Sequence, residues 1–198
     1  MTKPNIIFLA SGNLHKIEEL GQMLTELGVK LKSTLDYPDA EEVEEDRPDL
    51  EGNALKKARH WYDKTGLPSL SDDTGLEVEA LDGAPGVYSA RYAGESASYE
   101  ENTQKLLKEM KGASNRTARF RTVVAFIDQN GNEHIFEGLC EGEILPEKRG
   151  EKGFGYDPVF QPEGYDKSFA ELTGDEKNKI SHRGKATDKF IEFLKKDF

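Results

Sequence analysis

Two strand-like segments, Phe120 to Ile127 and His134 to Glu143, flank the stretch Asp128-Gln129-Asn130-Gly131. Asn-Gly accepts the positive φ of the primed turns whose twist matches antiparallel strands, so these residues form a long twisted hairpin. The N-terminus follows a different pattern. Asn5 to Ala10 is an apolar run, Ser11-Gly12-Asn13 breaks it, and Ile17, Leu20, Leu24 and Leu27 then recur at helical spacing up to Gly28. A strand-loop-helix unit and a hairpin in one chain predict an α/β domain built on a mixed sheet.

The remaining segments fit that frame. Val29 to Leu35 alternates as a strand, and Asp36 to Glu51, acidic and holding two prolines, reads as a loop. Asn53 to Lys64 is helical. Leu67 to Leu81 reads as two short strands around Ser71-Asp72-Asp73-Thr74-Gly75, the second alternating in period two. Gly83 to Gly86 is a turn, Tyr99 to Lys111 a helix, Gly150 to Gly155 a glycine-rich loop and Asp188 to Lys196 a closing amphipathic helix. No repeat, linker or low-complexity segment interrupts the 198 residues, which suit a single domain, 1–198, with two lobes.

Charge and apolar content narrow the function. A formal net charge of −11 opposes wrapping a nucleic-acid backbone, since such binding depends on Lys and Arg neutralising phosphates. A polyanionic small molecule would need a local basic pocket and a divalent cation. No apolar run approaches a membrane span and the start shows no signal peptide, which predicts a cytoplasmic protein without a membrane partner. The single Cys140 rules out an internal disulfide and reads as a buried strand residue.

Four polar clusters could carry chemistry, and each also has a plainer reading. Ser11-Gly12-Asn13-Leu14-His15-Lys16 lies between a strand and a helix, where free N–H groups, the helix dipole and Lys16 favour an anion; it could equally be a tight turn with a surface lysine. Asp72-Asp73 offers hard oxygen ligands for Mg²⁺ and a carboxylate to orient or deprotonate water, or is a solvated acidic turn. The acidic run Glu41-Glu42-Val43-Glu44-Glu45 could add a ligand or be a solvated loop. Gly153-Phe154-Gly155-Tyr156-Asp157-Pro158 could stack a base on its aromatics and accept a ring N–H at Asp157, or be an anchored turn. Lys177 with Ser181-His182-Arg183 could meet phosphate and base edges, or be a helix start capped by Ser181 with surface His and Arg.

Taken together, and in this order, the clusters resemble the inosine triphosphate pyrophosphatase family, the non-standard purine NTP pyrophosphatases. The resemblance runs nearly end to end. It covers Ser11-Gly12-Asn13 with Lys16, Asn53-Ala54 with Lys57-Ala58, and Asp72-Asp73-Thr74-Gly75-Leu76. It continues through Gly83 to Tyr92, Phe154-Gly155-Tyr156-Asp157-Pro158 and Ser181-His182-Arg183. It implies two lobes around a long twisted mixed β-sheet with flanking helices, an active-site cleft between them, and a homodimer. It also implies Mg²⁺-dependent hydrolysis of ITP, dITP and XTP to the monophosphate and pyrophosphate, with Mn²⁺ a possible substitute for Mg²⁺.

On matching positions, Ser11, Gly12, Asn13, Leu14, His15 and Lys16 would bind phosphates. Asp73 would hold the metal and accept the proton, Glu45 would be a second metal-linked carboxylate, and Thr74 would touch the substrate. Phe154, Gly155, Tyr156, Asp157, Lys177, His182 and Arg183 would bind the rest of the nucleotide. Ser71 and Thr74 replace the Ala and Ser usual in the Asp-Asp motif, and the stretch from Glu45 to Asn53 departs further from the usual pattern. A pyrophosphatase for other nucleotides and a nucleotide sensor without hydrolysis are the competing readings.

Overall fold

The structure, a computed structural model, describes residues 4–41 and 43–197; the side chains of His15, Glu19 and Asp197 and all of Glu42 lie outside the described set. The elements follow in the order β1 (Ile6–Leu9), α1 (Leu14–Glu26), β2 (Lys30–Ser33), α2 (Leu50–Thr65), β3 (Ser69–Val78) and β4 (Pro85–Gly86). Then come α3 (Tyr99–Glu109), β5 (Thr117–Ile127), β6 (Glu133–Ile144), β7 (Phe160–Pro162), α4 (Gly174–Ile180) and α5 (His182–Asp197), with short 3₁₀ turns between. The seven strands make one mixed sheet in the order β2-β1-β3-β5-β6-β7, with β4 paired to β3. The expected α/β class and mixed sheet with flanking helices are therefore present.

The chain divides into two compact units, each assembled from separate stretches of sequence. In the first (residues 1–73, 123–137 and 186–198), β1 pairs parallel with β2 (Ile6↔Lys30) and with β3 (Phe8↔Ser69). Flanked on both edges, β1 buries Ile7, Phe8 and Leu9, as a continuous apolar run in a parallel sheet should. Leu20 and Leu24 of α1 pack with Leu70, Phe126, Phe190 and Leu194 in one core, while Trp61 of α2 stacks on Phe8 at 4.4 Å.

The second unit comprises residues 74–122 and 138–185. Its core gathers Leu76, Val78, Leu106, Met110, Ile144 and three phenylalanines, of which Phe120 meets Phe160 edge-on at 4.7 Å and Phe169 at 5.9 Å. β3 pairs antiparallel with β4 (Leu76↔Gly86), and β6 with β7 (Ile144↔Phe160).

The hairpin forms as expected, with β5 and β6 joined by residues 128–132. The turn is closed by the fully buried carboxylate of Asp128, which accepts from the N–H groups of Asn130 (2.8 Å) and Asn132 (2.9 Å). Gly131 supplies the positive φ of 81°.

Three expectations change. The segment around Asp72-Asp73 is not a turn between two short strands, because β3 runs unbroken through it. Its polar residues find partners inside the fold, Ser71 Oγ donating to the Ala54 carbonyl at 2.5 Å, so a buried strand tolerates them. α2 begins at Leu50, three residues before the expected start, because Asp49 caps it by accepting from Gly52 N–H at 2.7 Å. α5 begins at His182, six residues early; Ser181 is the expected cap and accepts from Gly184 N–H at 3.0 Å.

Candidate functional site

In the first unit, the strand-loop-helix stretch shapes the start of α1. Ser11 Oγ accepts from Asn13 N–H at 3.2 Å, and the Asn13 carbonyl accepts from Ile17 N–H at 3.0 Å. These bonds fold Ser11-Gly12-Asn13 around the helix N-terminus, where partial positive charge collects. Gly12 and Leu14 are exposed. The His15 backbone lies in α1, and the expectation for its side chain falls outside the described residues.

Lys16, on the first turn of α1, reaches β3 and donates to Asp72 Oδ1 at 2.6 Å. Successive side chains of a strand point to opposite faces, and the neighbouring acid Asp73 meets a different lysine. Lys57 of α2 lies 3.5 Å from Asp73 Oδ1, 2.5 Å from Glu45 Oε1 and 2.9 Å from the Asp72 carbonyl oxygen. The expected metal residues Glu45 and Asp73 thus share one ammonium group.

Charge balance here is tight. Burial pulls the Lys57 pKa down, but Asp73, Glu45 and Asp72 together outweigh it and hold the ammonium above its ordinary value. Burial pushes Asp73 up to about 6; Lys57 opposes this, and Glu45 and Asp72 add to it. Asp73 Oδ2 is buried with no hydrogen-bond partner. A carboxylate in that condition stands ready for a cation or a proton. Lys57 and Asn53 are site residues to which sequence reasoning gave no role. The helical spacing of 53 and 57 placed them on one face, but only the fold shows that this face meets β3.

In the second unit, the glycine-rich loop is closed on itself. Asp157 Oδ2 is buried and accepts from Phe154 N–H at 2.9 Å and from Lys177 Nζ at 2.5 Å. Lys177 Nζ also lies 5.0 Å from the centre of the Phe154 ring, and Arg183 Cζ lies 5.5 Å from it. The structure therefore brings Phe154, Asp157, Lys177 and Arg183 together, with the Phe154 ring partly exposed.

Tyr156 is turned inward, its hydroxyl donating to the Ser89 carbonyl at 2.9 Å, so Phe154 is the open aromatic of the pair. His182 is buried and stacks on Phe120 at 4.5 Å. Thr74 Oγ1 shares a hydrogen bond of 2.7 Å with Thr122 Oγ1. Gly155 has φ +60° and its carbonyl accepts from Thr103 Oγ1 at 3.3 Å.

Gly153 permits the loop closure. Its φ is +75°, and a Cβ there would stand 2.0 Å from Asp157 Oδ2. Gly153→Ala is expected to lower unfolding free energy by about 2 kcal/mol, read as a shift in the urea midpoint; an unchanged midpoint would show that the loop yields freely.

A strand-loop-helix turn at a helix N-terminus, beside carboxylates paired with lysines, has the chemistry that enzymes acting on phosphate groups use. The Ham1 family profile matches residues 7–193. A dITP/XTP pyrophosphatase of Desulforamulus reducens is 49% identical over 190 residues, covering 95% of this chain and 94% of its own. One from Flavobacterium psychrophilum is 47% identical over 189 residues, covering 96% and 98%. The solved Ham1 protein of Staphylococcus aureus superposes with a TM-score of 0.91 at 36% identity, covering 98% of this chain and 100% of that one. The chain belongs to the Ham1 family.

Proposed function

We propose that the chain hydrolyses ITP, dITP and XTP to the monophosphate and pyrophosphate with Mg²⁺, clearing deaminated purines from the nucleotide pool before they enter DNA or RNA. The enzyme class, a nucleoside triphosphate pyrophosphatase, is that of the curated relatives, whose name specifies dITP and XTP. The observation that carries the reading is Asp73, a half-buried carboxylate with one buried, unpartnered oxygen beside Lys57 and Glu45.

In this reading Asp73 takes the proton from the water whose oxygen bonds to the α-phosphorus, and the bond to pyrophosphate breaks. Lys16 and the N-terminus of α1 hold the phosphates. Lys177, Arg183 and the Phe154 ring bind the base end. A 6-keto purine offers an acceptor at O6 and a donor at N1, where adenine offers the reverse, so the wrong base leaves buried groups unpaired at ~1–3 kcal/mol each.

The donor chemistry suits Mg²⁺. Among the described residues no three acids or histidines cluster as a self-sufficient metal cage, and Mg²⁺ typically takes only one or two carboxylates plus substrate phosphates. Asp73 would hold it with Glu45 as the second carboxylate, and the chemistry supplied there is neutralisation of charge developing on the phosphates. A cytoplasmic location and a homodimer belong to the same reading; no described helix is long and apolar enough to cross a membrane.

The test is pyrophosphate release from ITP, XTP, dITP, GTP, ATP and dTTP with Mg²⁺ or EDTA, ranked by kcat/KM, together with Mg²⁺-dependent melting of the nucleotide-free protein. Metal-dependent release led by ITP, dITP and XTP is expected. A pyrimidine preference would overturn the base assignment, and inactivity of the folded protein would favour a sensor.

A further inference from the structure

Asn53 is wholly buried on α2, one turn ahead of Lys57 and on the same face. A carboxamide presents both an acceptor oxygen and an NH₂ donor, and burial makes each need a partner. Its Oδ1 accepts from Arg47 N–H at 2.9 Å, which ties down the loop carrying Glu45 two residues earlier. Its Nδ2 meets no partner in hydrogen-bond geometry, and neither does Asp73 Oδ2. Lys57, one turn on along the same face of α2, lies 3.5 Å from Asp73 Oδ1. The face of α2 that carries the unpartnered NH₂ group is therefore the face that meets Asp73, whose Oδ2 also lacks a partner.

We propose that Asn53 is a positioning residue for the hydrolysis: its oxygen fixes the Glu45 loop, and its NH₂ group orients the Asp73 carboxylate toward the attacking water. The residue type suits both tasks at once. Asp lacks the donor, Gln is a methylene longer, and Ala has neither group. The inference rests on the pyrophosphatase reading above and adds a residue whose role is orientation rather than chemistry.

Two variants separate the two ends of the carboxamide. Asn53→Asp keeps the acceptor for Arg47 N–H and removes the donor. At a pH where the new carboxyl is ionised it is expected to lower kcat for ITP about 10²-fold while KM stays within about threefold, and to melt below the parent because a second carboxylate is then buried beside Asp73. Arg47→Pro, at an exposed loop position, removes the N–H and leaves the NH₂ group in place. It is expected to raise the Mg²⁺ concentration for half-maximal velocity, with kcat at saturating Mg²⁺ near the parent value.

A purely structural role predicts lower melting temperatures with neither change. A folded Asn53→Asp with parental kcat overturns the proposal, and so does an Arg47→Pro enzyme with parental Mg²⁺ dependence. An inactive parent chain would instead overturn the pyrophosphatase reading, and this inference with it.

Discussion

Asp73→Asn is expected to lose about 10³-fold in kcat for pyrophosphate release and to melt no lower than the parent chain in EDTA. The two outcomes have one cause. Burial is the largest influence on Asp73 and raises its pKa to about 6, so the ionised form is held in the fold at a free-energy penalty that Lys57 only partly offsets. An amide of the same shape removes that penalty and with it the proton acceptor and anionic ligand. Stabilisation of the parent by Mg²⁺ should be absent in the variant. Retained turnover would remove Asp73 from the chemistry, and a large drop in melting temperature would show that its charge holds the fold together.

The second large effect is expected at Lys57. Lys57→Met keeps most of the side-chain volume but leaves Glu45, Asp73 and the Asp72 carbonyl without their shared donor. Removing one partner of a buried ion pair typically costs about 3–5 kcal/mol, because the remaining charge is then uncompensated. Two features should moderate the loss, since Glu45 is partly solvated and Asp73 can take up a proton. A loss of about 3 kcal/mol in urea unfolding with EDTA is therefore expected. Mg²⁺ should restore part of it by supplying positive charge to the same oxygens, and activity should stay low because the carboxylates lose the ammonium that holds them in place against their mutual repulsion. An unchanged urea midpoint would show that Lys57 contributes no net stability.

Much of the framework was legible in the sequence. Asn130-Gly131 between alternating segments and the break at Ser11-Gly12-Asn13 are local signals, and local chemistry decided both: Asp128 closes the turn and Ser11 and Asn13 organise the start of α1. The Asp72-Asp73 segment misled because polarity usually marks a turn. Here the partners that make a polar strand tolerable come from residues 16, 54 and 57, beyond any local window.

The candidate site was legible as residue types in a familiar order, and less so as arrangement. Lys16 reads as a phosphate ligand, yet it is also the tether of Asp72. Tyr156 reads as an aromatic that could stack on a base and His182 as a group that could face a base edge, and both are buried in the second unit. Nothing in their immediate neighbours distinguishes an aromatic that faces a ligand from one that faces Phe120 or Ser89. That distinction is set by long-range packing.

The two compact units meet the chain at 73/74, 122/123, 137/138 and 185/186, three of these points falling inside β3, β5 and β6 and one inside α5. No single peptide bond divides one unit from the other. The first unit draws on both ends of the chain, so any single cut divides it, whereas the second unit lies wholly within residues 74–185 but carries the 123–137 stretch of the first in its middle. Gene-level tinkering with the protein is thereby restricted to substitutions and to loop insertions such as at the 128–132 turn.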